Sequence, residues 1–135
     1  MYAYLDRHVR DLDERDLFVL SAMRGWVAAA RGGRCVCHAL SRGFEARAVP
    51  EVLGDFVSAM ATLDHNALAR LRFAPVAWPK VTDDEARLLA LFALDRDGEP
   101  ERLPSVAAGL VADDAVAPLL GAIDAVGHAL AGDAV

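Results

Sequence analysis

The residues whose types could perform chemistry begin with a compact run, Cys35 to His38, which reads Cys-Val-Cys-His. Thiolates and imidazoles are ligands that zinc prefers, and a structural zinc site takes about four of them. Cys35 and His38 would share one face of a helix, whereas Cys37 would point away from it. The metal hypothesis therefore joins Cys35 and His38 to the distant His65, without the usual C-x2-4-C spacing. The alternative is a pair of ordinary cysteines packed in a core.

A cysteine of this run could also be a nucleophile, because Arg34 and a helix N-terminus would favour its thiolate. The sequence offers no recognisable acid–base partner for it, and a disulfide between these two cysteines would be strained. The chain also lacks glycine-rich phosphate loops and a G-x-S-x-G motif. Acidic pairs at residues 83–84 and 113–114 lie where helices should begin, so capping explains them. We therefore predict no catalytic residue and no cofactor.

Arginines form a second candidate group around the junction of the first two predicted helices. Guanidinium groups bind carboxylates and phosphates through paired hydrogen bonds, so an anionic ligand or an acidic partner could contact them. Residues 1–48 carry eight basic and six acidic side chains, against six basic and fourteen acidic ones in residues 49–135. The alternative is an ordinary mixed, solvated surface. The candidates are Arg24, Arg31, Arg34, Arg42 and Arg47.

Residues 35–52 match part of a helix-turn-helix pattern, with small, turn and core residues at the spacing that this motif needs. The predicted second helix begins at Pro50 and carries Glu51 and Asp55 rather than side chains that reach base edges. A sequence pI near 5.1 also opposes phosphate binding. The sequence thus argues against nucleic acid, and a diverged DNA-binding regulator that uses Arg34, Arg42 and Arg47 stays an alternative.

Helices must position these residues, because Ala is the commonest residue, Leu and Arg are also strong helix formers, and Ile and Thr are scarce. The segment Thr82 to Glu85 is a capping box, and the apolar residues behind it extend nearly all round a helix. We predict an all-α, compact single domain, residues 1–135, of five or six helices with a central buried helix at about 82–95. The other predicted helices cover about 13–31, 34–42, 50–63, 103–112 and 113–131.

The remaining segments are predicted to be irregular. Residues 1–12 are polar and should form a frayed lead-in, Gly43 should end the second helix, and residues 44–48 should be a loop. Residues 67–72 could form a helical turn. Residues 73–81 must be extended because of their two prolines, and Trp78 should seal one edge of the core.

The last helix carries a ridge of small residues at every fourth position, flanked by large apolar residues. A small ridge lets a second helix approach closely, and the apolar residues extend too far around this helix for one partner to cover them. We therefore predict a homodimer through this helix. The predicted interface consists of Ala117, Gly121, Ala125, Ala129, Ile123 and Leu130.

The composition, with 55% hydrophobic residues and few glycines and prolines, excludes disordered and collagen-like classes. The chain shows no secretory signal and no apolar run long enough for a membrane span. Two cysteines cannot form a disulfide scaffold, so we expect the reducing cytoplasm. The leading hypothesis is a non-enzymatic cytoplasmic interaction or regulatory protein. A small-ligand or metal-binding helical domain is the first alternative.

One segment, Trp78 to Leu89, resembles a stretch found in uncharacterised small helical proteins of bacteria. In those proteins a Cys-Pro-basic-apolar-Thr run precedes Asp-Glu-Ala and a pair of leucines. This chain has Trp78 where that pattern carries Cys, so no role of that Cys transfers. The resemblance implies a similar helix start and adds no site residue.

Overall fold

The computed structural model of this protein describes Tyr4, residues 7–96 and residues 100–133, with side chains described for Tyr4, residues 7–93 and residues 101–131. These described parts of the chain contain six α-helices and no β-strand. The all-α prediction is therefore confirmed. The helices are α1 (Glu14–Arg31), α2 (Val36–Ala46), α3 (Leu53–Asn66), α4 (Asp83–Arg96), α5 (Leu103–Ala108) and α6 (Asp113–Asp133). Short 3-10 turns cover Val9–Asp11, Pro50–Val52 and Pro100–Arg102.

Helix α4 is the central helix, as its all-round apolar sequence predicts. Its Leu88, Leu89 and Leu91 are completely buried. It packs against α1, α5 and α6, and α3 also packs against α6. Burial of whole leucine side chains contributes about 1.5–3 kcal/mol each to folding, so this helix organises the core.

A chain of aromatic rings joins the first four helices across the core. Phe18 of α1 meets Phe44 of α2 edge-on, with ring centroids 5.0 Å apart. Phe44 then lies 5.5 Å from Phe56 of α3, which stacks at 6.2 Å on Phe92 of α4. Such geometries are the ones that aromatic pairs prefer, and they fix the relative positions of the four helices.

The ends of α1 follow local sequence signals. The Asp13 carboxylate accepts the backbone N–H of Asp16 at 2.8 Å and caps the first turn. At the other end, Gly33 adopts a φ of 69°, and the N–H of Arg34 donates to the carbonyl of Ala29 at 2.8 Å. This is the Schellman arrangement, which needs a residue with positive φ just beyond the helix. The predicted helix over 13–31 is confirmed.

The predicted end of α2 at Gly43 is wrong, because the helix continues to Ala46. Phe44, predicted to lie in a loop, is a buried helical residue that contacts rings on both sides. The helix ends in a second Schellman arrangement, in which the N–H of Val49 donates to the carbonyl of Phe44 at 2.9 Å. Here Ala48 adopts a φ of 63°. Burial of Phe44 and Val49 therefore selects the end of the helix over the available glycine.

Residues 7–12 are not the frayed lead-in that their polarity predicts. The N–H of Val9 donates to the carbonyl of Pro79, and the N–H of Val81 donates to the carbonyl of Arg7, each at 2.8 Å. Leu12 and Tyr4 are buried. The N-terminal segment is thus held against the extended segment that precedes α4.

Four smaller predictions between the helices also fail. Residues 67–72 form no helical turn, because Ala67 pairs in an isolated bridge with Val111. Trp78 is 53% exposed and seals no core edge. Helix α5 ends at Ala108, four residues before the predicted end at 112. Residues 73–81 contain no helix, but the prediction that they are extended throughout is wrong: Val76 and Ala77 form a turn, in which the N–H of Trp78 donates to the carbonyl of Pro75 at 2.9 Å.

Candidate functional site

A buried ion pair joins α1 to the start of α4. Arg24 Nε donates to Glu85 Oε2 at 2.8 Å, and Arg24 Nη2 donates to Glu85 Oε1 at 2.9 Å. The two side chains are 2% and 0% exposed. Arg24 also donates to the backbone carbonyls of Trp78 at 2.7 Å and Lys80 at 2.8 Å. This planar, bidentate arrangement is the strong form of an arginine–carboxylate contact.

The Glu85 carboxylate has no remaining acceptor capacity for chemistry. Besides Arg24, its Oε1 accepts the N–H of Thr82 at 2.9 Å, and its Oε2 accepts the N–H of Ala74 at 3.0 Å. Burial alone would raise the pKa of Glu85, but the hydrogen bonds from Arg24, Thr82 and Ala74 and the charge of Arg24 together lower that pKa below its usual value. The group is therefore held ionised, as in a structural pair.

The predicted role of Arg24 as a contact for an anion or partner is accordingly wrong. Its charge is neutralised inside the protein by Glu85. The pair instead anchors the extended segment of residues 72–82. The N–H of Arg72 donates to Asp84 Oδ2 at 2.6 Å, and the Thr82 hydroxyl donates to the carbonyl of Arg72 at 3.2 Å. The segment is thus fixed at both ends against α1 and α4.

Residues 67–73, which lead into the anchored segment, form one wall of a cavity between α1 and α3. This cavity has a volume of about 420 Å³, and it opens to solvent beside exposed polar side chains. Pockets of roughly 300–1,000 Å³ with apolar walls and a few polar groups are typical of small-molecule sites. The apolar lining consists of Trp26, Val27, Ala30, Met60, Leu63, Ala67, Ala69, Leu71 and Phe73. Arg31, Asp64 and Arg70 supply the polar lining.

A second hollow adjoins the first and is more strongly charged. Its volume is about 330 Å³. Its lining consists of Arg31, Arg70, Leu71, Arg72 and Phe73. Leu71 and Phe73 are half-buried while Arg70 and Arg72 are exposed, so this extended segment directs apolar and cationic side chains in alternation. The cavity therefore has apolar walls and a rim of cationic side chains at its opening.

The indole of Trp26 supplies an uncommitted donor at the cavity wall. Its Nε1 is buried and has no hydrogen-bond partner among the residues that the structure describes. The ring itself is 9% exposed. Buried donors are paired in most proteins, and an unpaired one is often found at a site of function or beside a water molecule.

The predicted arginine group does not form one surface. Arg31 lines the cavity. Arg34 and Arg42 are exposed and line neither hollow. Arg47 is half-buried, with its guanidinium carbon 5.9 Å from the centre of the Phe18 ring. Only Arg31 of the five therefore belongs to the candidate site, which we define as the cavity together with its adjoining hollow.

The structure does not bring Cys35, His38 and His65 together as metal ligands. No group of three or more His, Cys, Asp or Glu side chains within residues 7–93 and 101–131 could hold a metal ion. Cys35 and Cys37 are free and exposed, which also contradicts the alternative that they pack in a core. His65 lies at the end of α3 with its ring 4.0 Å from Asp64 and 69% exposed.

The segment predicted as a helix-turn-helix forms two helices, α2 and α3, joined through the Pro50–Val52 turn. The regular helix begins at Leu53 rather than at Pro50. Glu51 lies in the 3-10 turn that precedes this helix, and Asp55 lies in its first turn. A recognition helix needs donors that reach bases at this end, so these acids would face the phosphate charges of DNA.

The predicted interface on α6 is divided between the core and the surface. Ile123 and Leu130 are buried in the protein's own core, at 0% and 2% exposure, and cannot reach a second copy. Ala117 and Gly121 are exposed, whereas Ala125 and Ala129 are half-buried. By length and mean hydropathy, residues 113–131 would suffice to cross a membrane, a property that core helices of soluble proteins share; 39% of this stretch is buried.

Sequence reasoning missed the residues that form the cavity wall, although a signal for them exists. Residues 70–73 read Arg-Leu-Arg-Phe, an alternation of polar and apolar side chains that is typical of an extended, half-buried segment. Arg24 carries a second signal, because it lies within the apolar face of α1 beside Leu20 and Met23. A charged residue on such a face indicates a buried partner.

In comparisons with known proteins, no family model, no curated protein and no solved structure matches this chain. Function must therefore follow from the side chains themselves.

Proposed function

We propose that this protein binds a small, partly apolar molecule in the cavity between α1, α3 and residues 67–73. The observation that carries the proposal is a 420 Å³ cavity with six large apolar lining residues and a polar mouth. This function corresponds to the alternative of a small-ligand-binding helical domain, without the metal.

The anchoring of the cavity wall supports this proposal. Residues 67–73 contain no helix or strand, yet hydrogen bonds hold both ends of this wall: the N–H of Leu68 donates to the carbonyl of Leu110 at 2.9 Å, and the N–H of Arg72 donates to Asp84 Oδ2 at 2.6 Å. A wall that is held in place before binding reduces the ordering cost of binding a ligand.

A variant that fills the cavity tests the proposal. Ala69 lines the cavity and is exposed, so Ala69→Phe should block the cavity with little effect on folding. The matched control is Ala39→Phe, at an exposed position of α2 that does not line the cavity. We expect octanoate or 1-octanol to bind saturably to wild-type and Ala39→Phe protein in calorimetric titrations, and the binding to be lost in Ala69→Phe. If neither compound binds saturably to the wild-type protein, the proposal is wrong.

A second candidate function is assembly of two copies through the exposed small-residue strip of α6. The exposed positions Ala117 and Gly121 favour it, and among the described residues nothing outside the helix's own backbone would lie within 4 Å of a Cβ at Gly121. Such a strip lets two helices approach closely.

Charge insertion tests this second candidate. Gly121→Arg should convert a dimer to a monomer in light scattering at high micromolar concentration. Gly54→Arg is the matched control, because Gly54 is an exposed helical glycine of α3 whose Cβ would likewise have nothing within 4 Å outside the helix's own backbone among the described residues. A wild-type protein that is monomeric at that concentration would contradict the assembly hypothesis.

A further inference from the structure

We propose that the cavity selects a singly charged organic anion, a monocarboxylate with a short apolar body, whose head group lies between Arg31 and Arg70. This inference rests on the proposed ligand-binding function and names the class of ligand. Both arginines line the large cavity and also the adjoining hollow, so they stand at the boundary between the two.

The two arginines are available for a ligand. Arg31 and Arg70 are exposed, and neither has an ion-pair partner among the residues that the structure describes. Arg24, in contrast, is fully engaged by Glu85. A guanidinium group presents paired donors that match the two oxygens of a carboxylate. The rim of the cavity therefore supplies the donors that a carboxylate needs.

The charge at the mouth favours one negative charge rather than two. Asp64 lines the same cavity and opposes part of the field of Arg31 and Arg70. The protein as a whole carries a formal charge of −6, so it does not attract anions in general. A cationic rim on an acidic protein is thus a local feature that would distinguish ligands by their head group.

The size of the cavity limits the apolar body. At roughly 30 Å³ for each water molecule in the liquid, the cavity corresponds to about fourteen waters. An eight-carbon chain fits within this volume. Octanoate, 1-octanol, octylammonium and octyl phosphate share that chain and differ in charge, so they serve as matched probes.

The experiment uses Trp26 as the reporter. Trp78→Phe removes the other tryptophan, whose side chain is 53% exposed and whose carbonyl, the group that Arg24 uses, remains. The single indole N–H resonance and the fluorescence of Trp26 then report on each titration. We expect octanoate to bind about five- to tenfold more tightly than 1-octanol, as two exposed arginine contacts would supply. Octylammonium and octyl phosphate should bind less tightly than octanoate.

Charge variants separate a local contact from a general field. The double variant Arg31→Ala/Arg70→Ala should reduce the affinity for octanoate to that for 1-octanol. The affinity for 1-octanol should stay unchanged. The control Arg34→Ala/Arg42→Ala removes the same total charge from exposed positions outside the cavity and should preserve the preference.

The outcomes distinguish this inference from the function on which it rests. Equal binding of octanoate and 1-octanol, or an equal loss in both double variants, would overturn the carboxylate preference while the ligand-binding function stands. Tighter binding of octyl phosphate than of octanoate would overturn the preference for a single charge. If no probe binds saturably, the proposed function itself is wrong.

Discussion

Replacement of Glu85 by Gln should destabilise this protein more than any exposed substitution. Each carboxylate oxygen accepts two hydrogen bonds, one from Arg24 and one from the backbone N–H of Thr82 or Ala74. An amide NH2 group in either orientation would therefore point a donor at two other donors. The charge of Arg24, which is 2% exposed, would also be left without a partner.

The magnitude follows from the burial of both groups. Removal of one partner from a buried ion pair costs about 3–5 kcal/mol, because the other charge stays buried. Loss of two hydrogen bonds to charged groups, at about 1.5–3 kcal/mol each, gives about 3–6 kcal/mol, which overlaps that range. Small domains are stable by about 5–15 kcal/mol, so the variant would lose a large part of the free energy of unfolding.

Urea unfolding followed by far-ultraviolet circular dichroism measures this loss, provided that the dependence on urea concentration is unchanged. The control is Glu51→Gln, at an exposed position without an ion pair among the described residues, which should change stability by less than about 0.5 kcal/mol.

A double substitution provides the decisive comparison. Arg24→Met/Glu85→Met leaves no buried charge, so we expect it to be more stable than Glu85→Gln despite two changes in the core. The explanation is refuted if Glu85→Gln loses less than about 1 kcal/mol. It is equally refuted if the double variant loses the sum of what Arg24→Met and Glu85→Met lose separately.

Three further predictions concern pH and helix ends. Because the folded protein lowers the pKa of Glu85, this group contributes stability that is present above about pH 4.3, the usual value for Glu, and is lost as the pH falls through the folded-state pKa. The urea midpoints of unfolding of wild type and Glu85→Gln should therefore approach each other as the pH is lowered. A difference between the two midpoints that does not change with pH would contradict this prediction. Asp13→Ala removes the cap on Asp16 N–H and should cost about 1 kcal/mol, and an unchanged midpoint would exclude the cap. Ala48→Gly relieves a φ of 63° and should raise the free energy of unfolding by about 0.5–1 kcal/mol, which a higher melting temperature would show. A lower melting temperature would argue against that conformation.

The two helix ends built on Schellman arrangements mark the limit of local sequence reasoning. Helix α1 ends at the glycines that the sequence offers, with Gly33 at positive φ. Helix α2 passes Gly43 and ends with Ala48 in the same conformation, although alanine adopts it at a cost of roughly 1–2 kcal/mol. Burial of Phe44 between two other rings outweighs this cost, and the identity of those rings is set by the packing of α1, α2 and α3.

The residues of the candidate site were likewise predicted only in part from the sequence. Of the cavity's polar lining, Arg31 was among the predicted anion contacts, but Asp64 and Arg70 were not. The predicted metal ligands remain apart because their placement on α2 and α3 depends on helix packing, which residue spacing does not specify.

Local sequence patterns predicted the helical class, the capping box at Thr82–Glu85 and the central place of α4. These features depend on hydrogen bonds and side-chain periodicity within about one or two helical turns. Contacts between distant segments give Glu85 a second partner, Arg24, 61 residues away, and make residues 67–73 enclose a cavity with α1 and α3. The physical reason is that burial and charge pairing depend on which distant surfaces meet, and no local pattern encodes that choice.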